Sequence, residues 1–197
     1  MAPSADMRSD DDLIRDFRAG DGSAMETLFG RYRKPVFGWL LRMVQDEGEA
    51  EDLHQEVWLK IIRGIDGYSS GSFRAWLWRI VRNASVDRSR KHVAELILDA
   101  PVEEGPDAAA HVDQVFDDSA VSALTRMEEA ERKAAVREAV DGLSKRLKEV
   151  VLLRLNGELK FQEIADILGL PIGTVLGRMN LALTKLRQML SQKGVIG

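Results

Sequence analysis

The residues best suited to acting on a partner lie near the end of the chain, between Phe161 and Val175. An apolar helical pattern stops at Gly169, and Gly173-Thr174-Val175 opens another after Pro171. That is the layout of a helix-turn-helix, whose second helix can enter a DNA major groove. Ile164, Ala165 and Leu168 share one face of the first helix, while Val175, Met179, Ala182, Leu186 and Leu190 recur at three- and four-residue steps along the second. The same two stripes also suit an αα-hairpin that only packs its own core.

A second cluster runs from Ser72 to Lys91, where Arg74, Arg79, Arg82, Arg88, Arg90 and Lys91 are opposed by Asp87 alone. Trp76 and Trp78 stand two residues apart, so they cannot share a helix face, and one of them is expected to face away from the core. Aromatic rings beside arginines stack unpaired bases and follow phosphates, and Asn83 could hydrogen-bond a base edge. The alternative puts Trp76 in the core and leaves Trp78 half-buried. A third cluster, Glu49, Asp52, Gln55 and Glu56, forms a polar ridge along a helix. It would repel phosphate and could dock a basic protein surface, or simply face solvent.

No enzyme site emerges. His54, His92 and His111 stand alone, no Gly-rich phosphate loop occurs, and the carboxylates lie along helix faces. His54 reads as a surface histidine. The chain has no cysteine, so disulfides and thiolate metal sites are excluded, and neither a metal nor another cofactor is expected. The first twelve residues lack the basic-then-apolar order of a signal peptide, and no run approaches the roughly 18 apolar residues that span a bilayer. A cytoplasmic protein without membrane insertion is expected.

The elements that must position these clusters are all helical. Ser9 or Asp10 caps a first helix holding Leu13, Ile14 and Phe17; Ser23 and Glu26 suggest a capping box before Met25, Leu28, Phe29 and Tyr32. Pro35 either starts a new helix or kinks one long one carrying Val36, Phe37, Leu40, Leu41 and Val44. Asp46 or Glu47 opens the next, with Leu53, Val57, Ile61 and Ile62 on one side, and Ser72 caps the helix of Phe73, Trp76, Leu77, Ile80, Val81 and Ala84. Ser144 caps a helix over Leu147 to Leu155.

Charge divides the chain. Residues 1–92 carry 15 basic and 15 acidic side chains, residues 93–129 carry 1 and 10, and residues 130–197 carry 12 and 7. The net charge of −4 therefore comes from a middle segment with Asp99, Glu103, Glu104, Asp107, Asp113, Asp117 and Asp118 beside Pro101, Gly105 and Pro106. This composition reads as a linker. The expectation is an all-α chain of two small helical domains, 8–92 and 126–192, joined by an acidic flexible linker, 93–125, with the helix-turn-helix in the second domain.

In this order, the pieces resemble a bacterial extracytoplasmic-function (group IV) RNA polymerase sigma factor. The resemblance rests in the first domain on Arg31-Tyr32-Arg33, Glu51 through Trp58 and Ser72 through Asn83. In the second it rests on Leu143, Glu149-Val150, Leu153-Arg154, Gly157, Glu163-Ile164-Ala165, Leu168-Gly169, Gly173-Thr174-Val175, Arg178 and Leu186-Arg187. It implies an alternative sigma factor that directs promoter recognition and transcription initiation without being an enzyme. Its implied partners are core RNA polymerase, promoter DNA and an anti-sigma factor. Asp52, Gln55 and Glu56 become polymerase-binding candidates. The Asp66 to Ser72 loop and the following helix become the part that captures a flipped base of the minus-10 element, with Ser72, Arg74, Trp78, Arg79, Arg82 and Asn83 as its residues. The acidic linker resembles the segment threading polymerase's nucleic-acid channel.

The recognition helix departs from the family. Where members carry Lys or Arg after Gly-Thr-Val, this chain has Leu176-Gly177-Arg178-Met179-Asn180-Leu181-Ala182-Leu183. With Val175 inward, Gly177, Asn180, Leu181 and Thr184 point outward, flanked by Arg178 and Lys185. Minus-35 contacts are expected from Thr174, Leu176, Gly177, Arg178, Asn180, Leu181 and Lys185, supported by Arg187, Lys193, Lys145, Arg146 and Lys160. A second reading, a sigma-like interaction protein that binds polymerase or an anti-sigma factor without reading DNA, draws on this thin phosphate grip.

Overall fold

The computed structural model describes residues 8–69, 71–99 and 123–195, with backbone alone at 91–99 and 123–128. No strand occurs among the described residues, so the all-α expectation holds. The chain divides into two compact units with the boundary after Ala108. The first contains α1 (Asp10–Arg18), α2 (Gly22–Val44), α3 (Glu47–Gly64), a single 3-10 turn (Ile65–Gly67) and α4 (Phe73–Asp99); the second contains α5 (Ala123–Asp141), α6 (Lys145–Leu155), α7 (Phe161–Leu168) and α8 (Ile172–Gln192). No single helix among the described residues is long and apolar enough to cross a membrane.

Local chemistry sets the helix ends. Ser9 caps α1 in a reciprocal box with Asp12: the Asp12 N–H donates to Ser9 Oγ at 3.1 Å and the Ser9 N–H to Asp12 Oδ2 at 3.3 Å. Asp21, rather than the expected Ser23 box, caps α2, its carboxylate accepting from the Ser23 N–H at 3.0 Å. The helix therefore begins two residues earlier, and a carboxylate at the N-terminus also meets the helix dipole favourably. Asp46 caps α3 through the Glu49 N–H (2.7 Å), and Ser72 caps α4 through the Ala75 N–H (3.2 Å). Ser144 occupies the N-cap of α6, but its side chain makes no capping bond. Pro35 lies within α2, which continues past it as one helix.

At the other end of α4 the helix runs through Asp99, so the expected linker start at residue 93 is corrected. Ala94, Glu95 and Leu96 are strong helix formers, and no Gly or Pro intervenes before Pro101. The residues from Ala123 of the expected linker likewise belong to α5. The rest of that segment, including Glu103, Glu104, Asp107, Asp113, Asp117 and Asp118, lies outside the described residues.

The first unit is built around α2, which packs on α1, α3 and α4. Leu13 and Ile14 of α1, Leu28, Val36, Trp39 and Leu40 of α2, Leu53, Val57 and Ile61 of α3, and Leu77, Trp78 and Val81 of α4 are buried together. Ile62, expected with the inward stripe of α3, is exposed instead, while Trp58, outside that expected stripe, is buried. His54 is also not the surface histidine expected. It is half-buried among Phe29, Phe37 and Trp58, with Phe37 edge-on at 5.7 Å, and its Nε2 accepts a hydrogen bond from Trp58 Nε1 at 3.0 Å.

In the second unit α8 packs on α5, α6 and α7. Leu147, Val150, Val151 and Leu153 meet Ile164, Ala165, Leu168, Val175, Met179 and Ala182. Gly157 is required by contact: a Cβ there would lie 2.6 Å from the Leu153 carbonyl oxygen. Gly169 turns the chain between α7 and α8 at φ +64°, a left-handed conformation that favours glycine, and the two helices meet at 107°.

Desolvation holds the His54 pKa below its usual value of 6.5, with the nearby Arg33 charge adding to the effect and a bond to the Arg33 backbone opposing it. Protonation would also turn Nε2 from acceptor to donor against the Trp58 N–H. The unfolded chain therefore binds more protons just below pH 6.5, so stability is full above that value and falls on acidification through the window beneath it. The thermal midpoint of the wild type is expected to drop between pH 7 and pH 5 and to drop less for His54→Gln. Equal slopes in the two proteins would contradict this.

Candidate nucleic-acid and partner interfaces

The acidic ridge forms as spaced. Asp52, Gln55 and Glu56 are exposed on α3, outward because Leu53, Val57 and Ile61 point inward. Glu56 pairs with Lys60 one turn on at 2.7 Å, and Glu49 reaches Arg88 of α4 at 3.8 Å. The ridge thus carries carboxylates at its centre while one end is tied to the neighbouring helix.

On α4 the inner face holds Phe73, Leu77, Trp78, Val81 and Ala84. The expectation that Trp78 contacts DNA is corrected: it is fully buried, its ring meeting Trp39 edge-on at 5.6 Å. Neither indole N–H has an acceptor among the described residues, a cost of about 1–3 kcal/mol each that the burial of two large rings must exceed. Trp76 is the half-buried ring, packed beside Tyr68 and Phe73 at 5.7 Å from each. The outward stripe of α4 is instead polar: Ser72, Arg79, Asn83, Asp87 and Arg90 are exposed at helical spacing, and Arg74 and Arg82 are half-buried at its sides. Arg79 and Asn83 are one turn apart, so both can reach the same strand.

The loop before α4 is held by contacts that the sequence did not reveal. One terminal nitrogen of Arg18, at the end of α1, donates to the backbone carbonyls of Ile65, Asp66 (3.2 Å) and Tyr68. The Tyr68 hydroxyl bonds the Gly71 carbonyl at 2.6 Å and Asp11 Oδ1 at 3.1 Å. An open cleft of about 410 Å3 lies between α1 and this loop, lined by Asp11, Ile14, Arg15, Arg18, Tyr68, Ser69 and Gly71. Asp10, immediately before Asp11, accepts from Arg31 and from the Tyr32 hydroxyl, and Tyr32 accepts from Arg74 Nε at 3.5 Å. Burial and the adjoining Asp10 and Asp11 carboxylates push the Tyr32 and Tyr68 hydroxyls up to about 12, so both remain donors at any physiological pH. An Arg, an Asp and a Tyr separated by roughly 50 residues leave no local pattern; a first helix rich in Asp and Arg was the only trace.

In the second unit, Val175, Met179 and Ala182 are buried on α8, and Thr174, Leu176, Gly177, Asn180, Leu181, Thr184 and Lys185 are exposed. Arg178 is half-buried at the edge. Leu181 is 51 % and Leu176 40 % exposed, so the outward face is apolar and amide in character with cations only at its rim. Arg187, Lys193, Lys145, Arg146 and Lys160 are exposed around it, although Lys193 is paired with Glu138.

Comparison with known proteins agrees with this division. Residues 28–95 match the Sigma-70 region 2 family and residues 122–186 the Sigma-70, region 4 family. The ECF RNA polymerase sigma factor SigW of Bacillus subtilis is 30% identical over 182 residues, covering 90% of this chain and 94% of that protein. The RNA polymerase sigma factor CarQ of Myxococcus xanthus is 32% identical over 188 residues, covering 89% and 94%. In fold, the chain is similar to the sigma factor RpoE of Bartonella quintana, solved in complex with the anti-sigma factor NepR, at a TM-score of 0.65 and 22% identity over 85% of this chain and 96% of that one. It is also similar to CnrH, solved with the cytosolic domain of CnrY, at a TM-score of 0.60 and 21% identity over 93% and 97%.

The two faces of α4 differ in what they hold, and substitution separates them. Trp78→Ala is expected to cost about 3–5 kcal/mol of stability and Asn83→Ala less than about 0.5. Urea unfolding of the full chain reads both, and similar losses at the two positions would contradict the assigned faces.

Proposed function

The chain belongs to the extracytoplasmic-function sigma factors of the sigma-70 family, and from that premise we propose which of its residues carry promoter recognition. As a sigma factor it directs RNA polymerase to promoters and starts transcription, and the phosphoryl chemistry of RNA synthesis lies with the polymerase. Asp52, Gln55 and Glu56 dock core polymerase. Ser72, Arg74, Arg79, Arg82 and Asn83 engage the minus-10 element, and the Asp66 to Ser72 loop holds a flipped base. Thr174, Leu176, Gly177, Arg178, Asn180, Leu181 and Lys185 face the minus-35 element. No cofactor enters this reading, and work on polymerase and DNA implies a cytoplasmic protein. An anti-sigma factor is a further partner, by analogy with the solved complexes of its structural relatives.

One observation carries the reading: adjacent helices of one unit expose opposite chemistries, carboxylates on α3 and arginines with Asn83 on α4. A carboxylate ridge would be driven from DNA and an arginine stripe from a basic protein surface, so each face selects a different partner. Flipping a base costs a few kcal/mol, which contacts available only after strand separation can offset.

The interaction-protein reading draws on the apolar α8 face, whose exposed leucines give few phosphate contacts. If that face does read DNA, Asn180 pairs with an adenine and Leu176 or Leu181 packs on a thymine methyl. Selection of sites from a random duplex pool at two salt concentrations separates the two readings. A motif poor in guanine, with shallow salt dependence, is expected, and Asn180→Ala should relax one position by about 1–3 kcal/mol. No enriched motif would favour the interaction protein.

Asp52→Lys with Glu56→Lys is expected to weaken core binding in a pull-down while circular dichroism stays unchanged; undiminished binding would remove the ridge from the interface. Asn83→Ala should slow promoter melting, read by permanganate reactivity, and leave core binding intact. Wild-type melting would return Asn83 to an ordinary surface position.

A further inference from the structure

We propose that Arg18 is a positioning residue for minus-10 capture, acting through the backbone of the Ile65 to Gly71 loop, which it clamps to α1. The inference rests on the reading of that loop as the base-holding segment. Its geometry is independent of that reading. The 3-10 turn ends α3, and the partial negative charge of a helix C-terminus gathers at its carbonyls, of which that of Ile65 also accepts the Tyr68 N–H. Arg18 places a permanent cation against the Ile65 and Asp66 carbonyls of this turn and the Tyr68 carbonyl just after it. The guanidinium keeps its charge at any physiological pH, so the clamp does not titrate.

Asp11 and Tyr68 close the same joint from the other side. Because the Tyr68 hydroxyl bridges Asp11 and the Gly71 carbonyl, both ends of the loop are tied to one short helix. That helix is itself fixed by Leu13 and Ile14 in the core and by Asp10 on Arg31 and Tyr32. Tyr32 in turn accepts from Arg74, one of the proposed minus-10 residues. Helix α1 thus sets the loop and one flank of the α4 stripe from a single rigid element. A loop held in advance spends less conformational entropy on capturing an extruded base than one that must order on contact.

The test uses the full-length protein with core polymerase. A bubble template is built on a promoter selected with the wild type, carrying each of the four bases at the flipped position. Arg18→Met keeps the apolar stem and removes the clamp. Its holoenzyme is expected to assemble normally, to lose about tenfold in affinity for the preferred bubble, and to discriminate less among the four bases. Arg18→Lys should recover part of both. Amide exchange should quicken at 66–71 and stay unchanged in α2 and α3. A second variant, Asp66→Gly with Ser69→Gly, loosens the loop directly. If that variant is impaired and Arg18→Met matches the wild type, the positioning role is overturned and the loop reading stands. If the loop variant also matches the wild type, the loop reading falls and the proposal with it. A general loss of amide protection together with lost core binding would make Arg18 a stability residue only and overturn the proposal.

Discussion

Burial of the inner face of α4 against α2 is the constraint on which the first unit depends. Phe73, Leu77, Trp78 and Val81 fix the rotation of that helix, and the rotation alone decides that Arg79 and Asn83 face outward. It brings together Trp39 and Trp78, the largest fully buried side chains among the described residues, although both indole N–H groups lack an acceptor there. Large apolar area outweighs two missing hydrogen bonds here, as the magnitudes require: about 25 cal/mol per Å2 over two indoles exceeds a penalty of a few kcal/mol.

The same rule explains which residues were legible in the sequence. Periodicity identified the helices, the helix-turn-helix and the outward face of α8, because a 3.6-residue repeat states which side is wet. It failed where neighbours in sequence compete for one interior space. The pattern set Trp76 inward and Trp78 toward DNA, although the spacing allows either; the ring facing Trp39 of α2 is Trp78, which reverses that order, and Trp39 itself was not anticipated as core. His54 likewise sits on a polar-looking helix, yet Phe29, Phe37 and Trp58 enclose it from two helices. The Arg18 clamp is wholly tertiary. A cation bonding carbonyls about 50 residues away has no sequence signature.

Each unit solves recognition with a different balance of charge and shape. In the first, a basic stripe and a separately held loop sit beside an acidic ridge, and the proposed function assigns DNA and polymerase to these distinct surfaces. In the second, Gly169 and the 107° turn set the angle between α7 and α8, and the outward face of α8 carries leucine, threonine, asparagine and glycine with Arg178, Lys185 and Arg187 at its edges. On the proposed minus-35 contact, affinity comes from shape and methyl contacts more than from phosphates. A sigma factor tolerates that because polymerase supplies the other anchor, and two weak contacts held on one particle act with a high effective concentration.

The central claim is that this chain confers promoter selection on polymerase through those two units. The most direct measurement is transcription in vitro with purified core RNA polymerase, fragmented genomic DNA and the full-length protein, followed by mapping of RNA 5′ ends. The account predicts transcripts that start at a small set of discrete sites sharing an upstream motif and that vanish when the protein is omitted. The same transcripts with and without the protein, or starts scattered without a common motif, would contradict it.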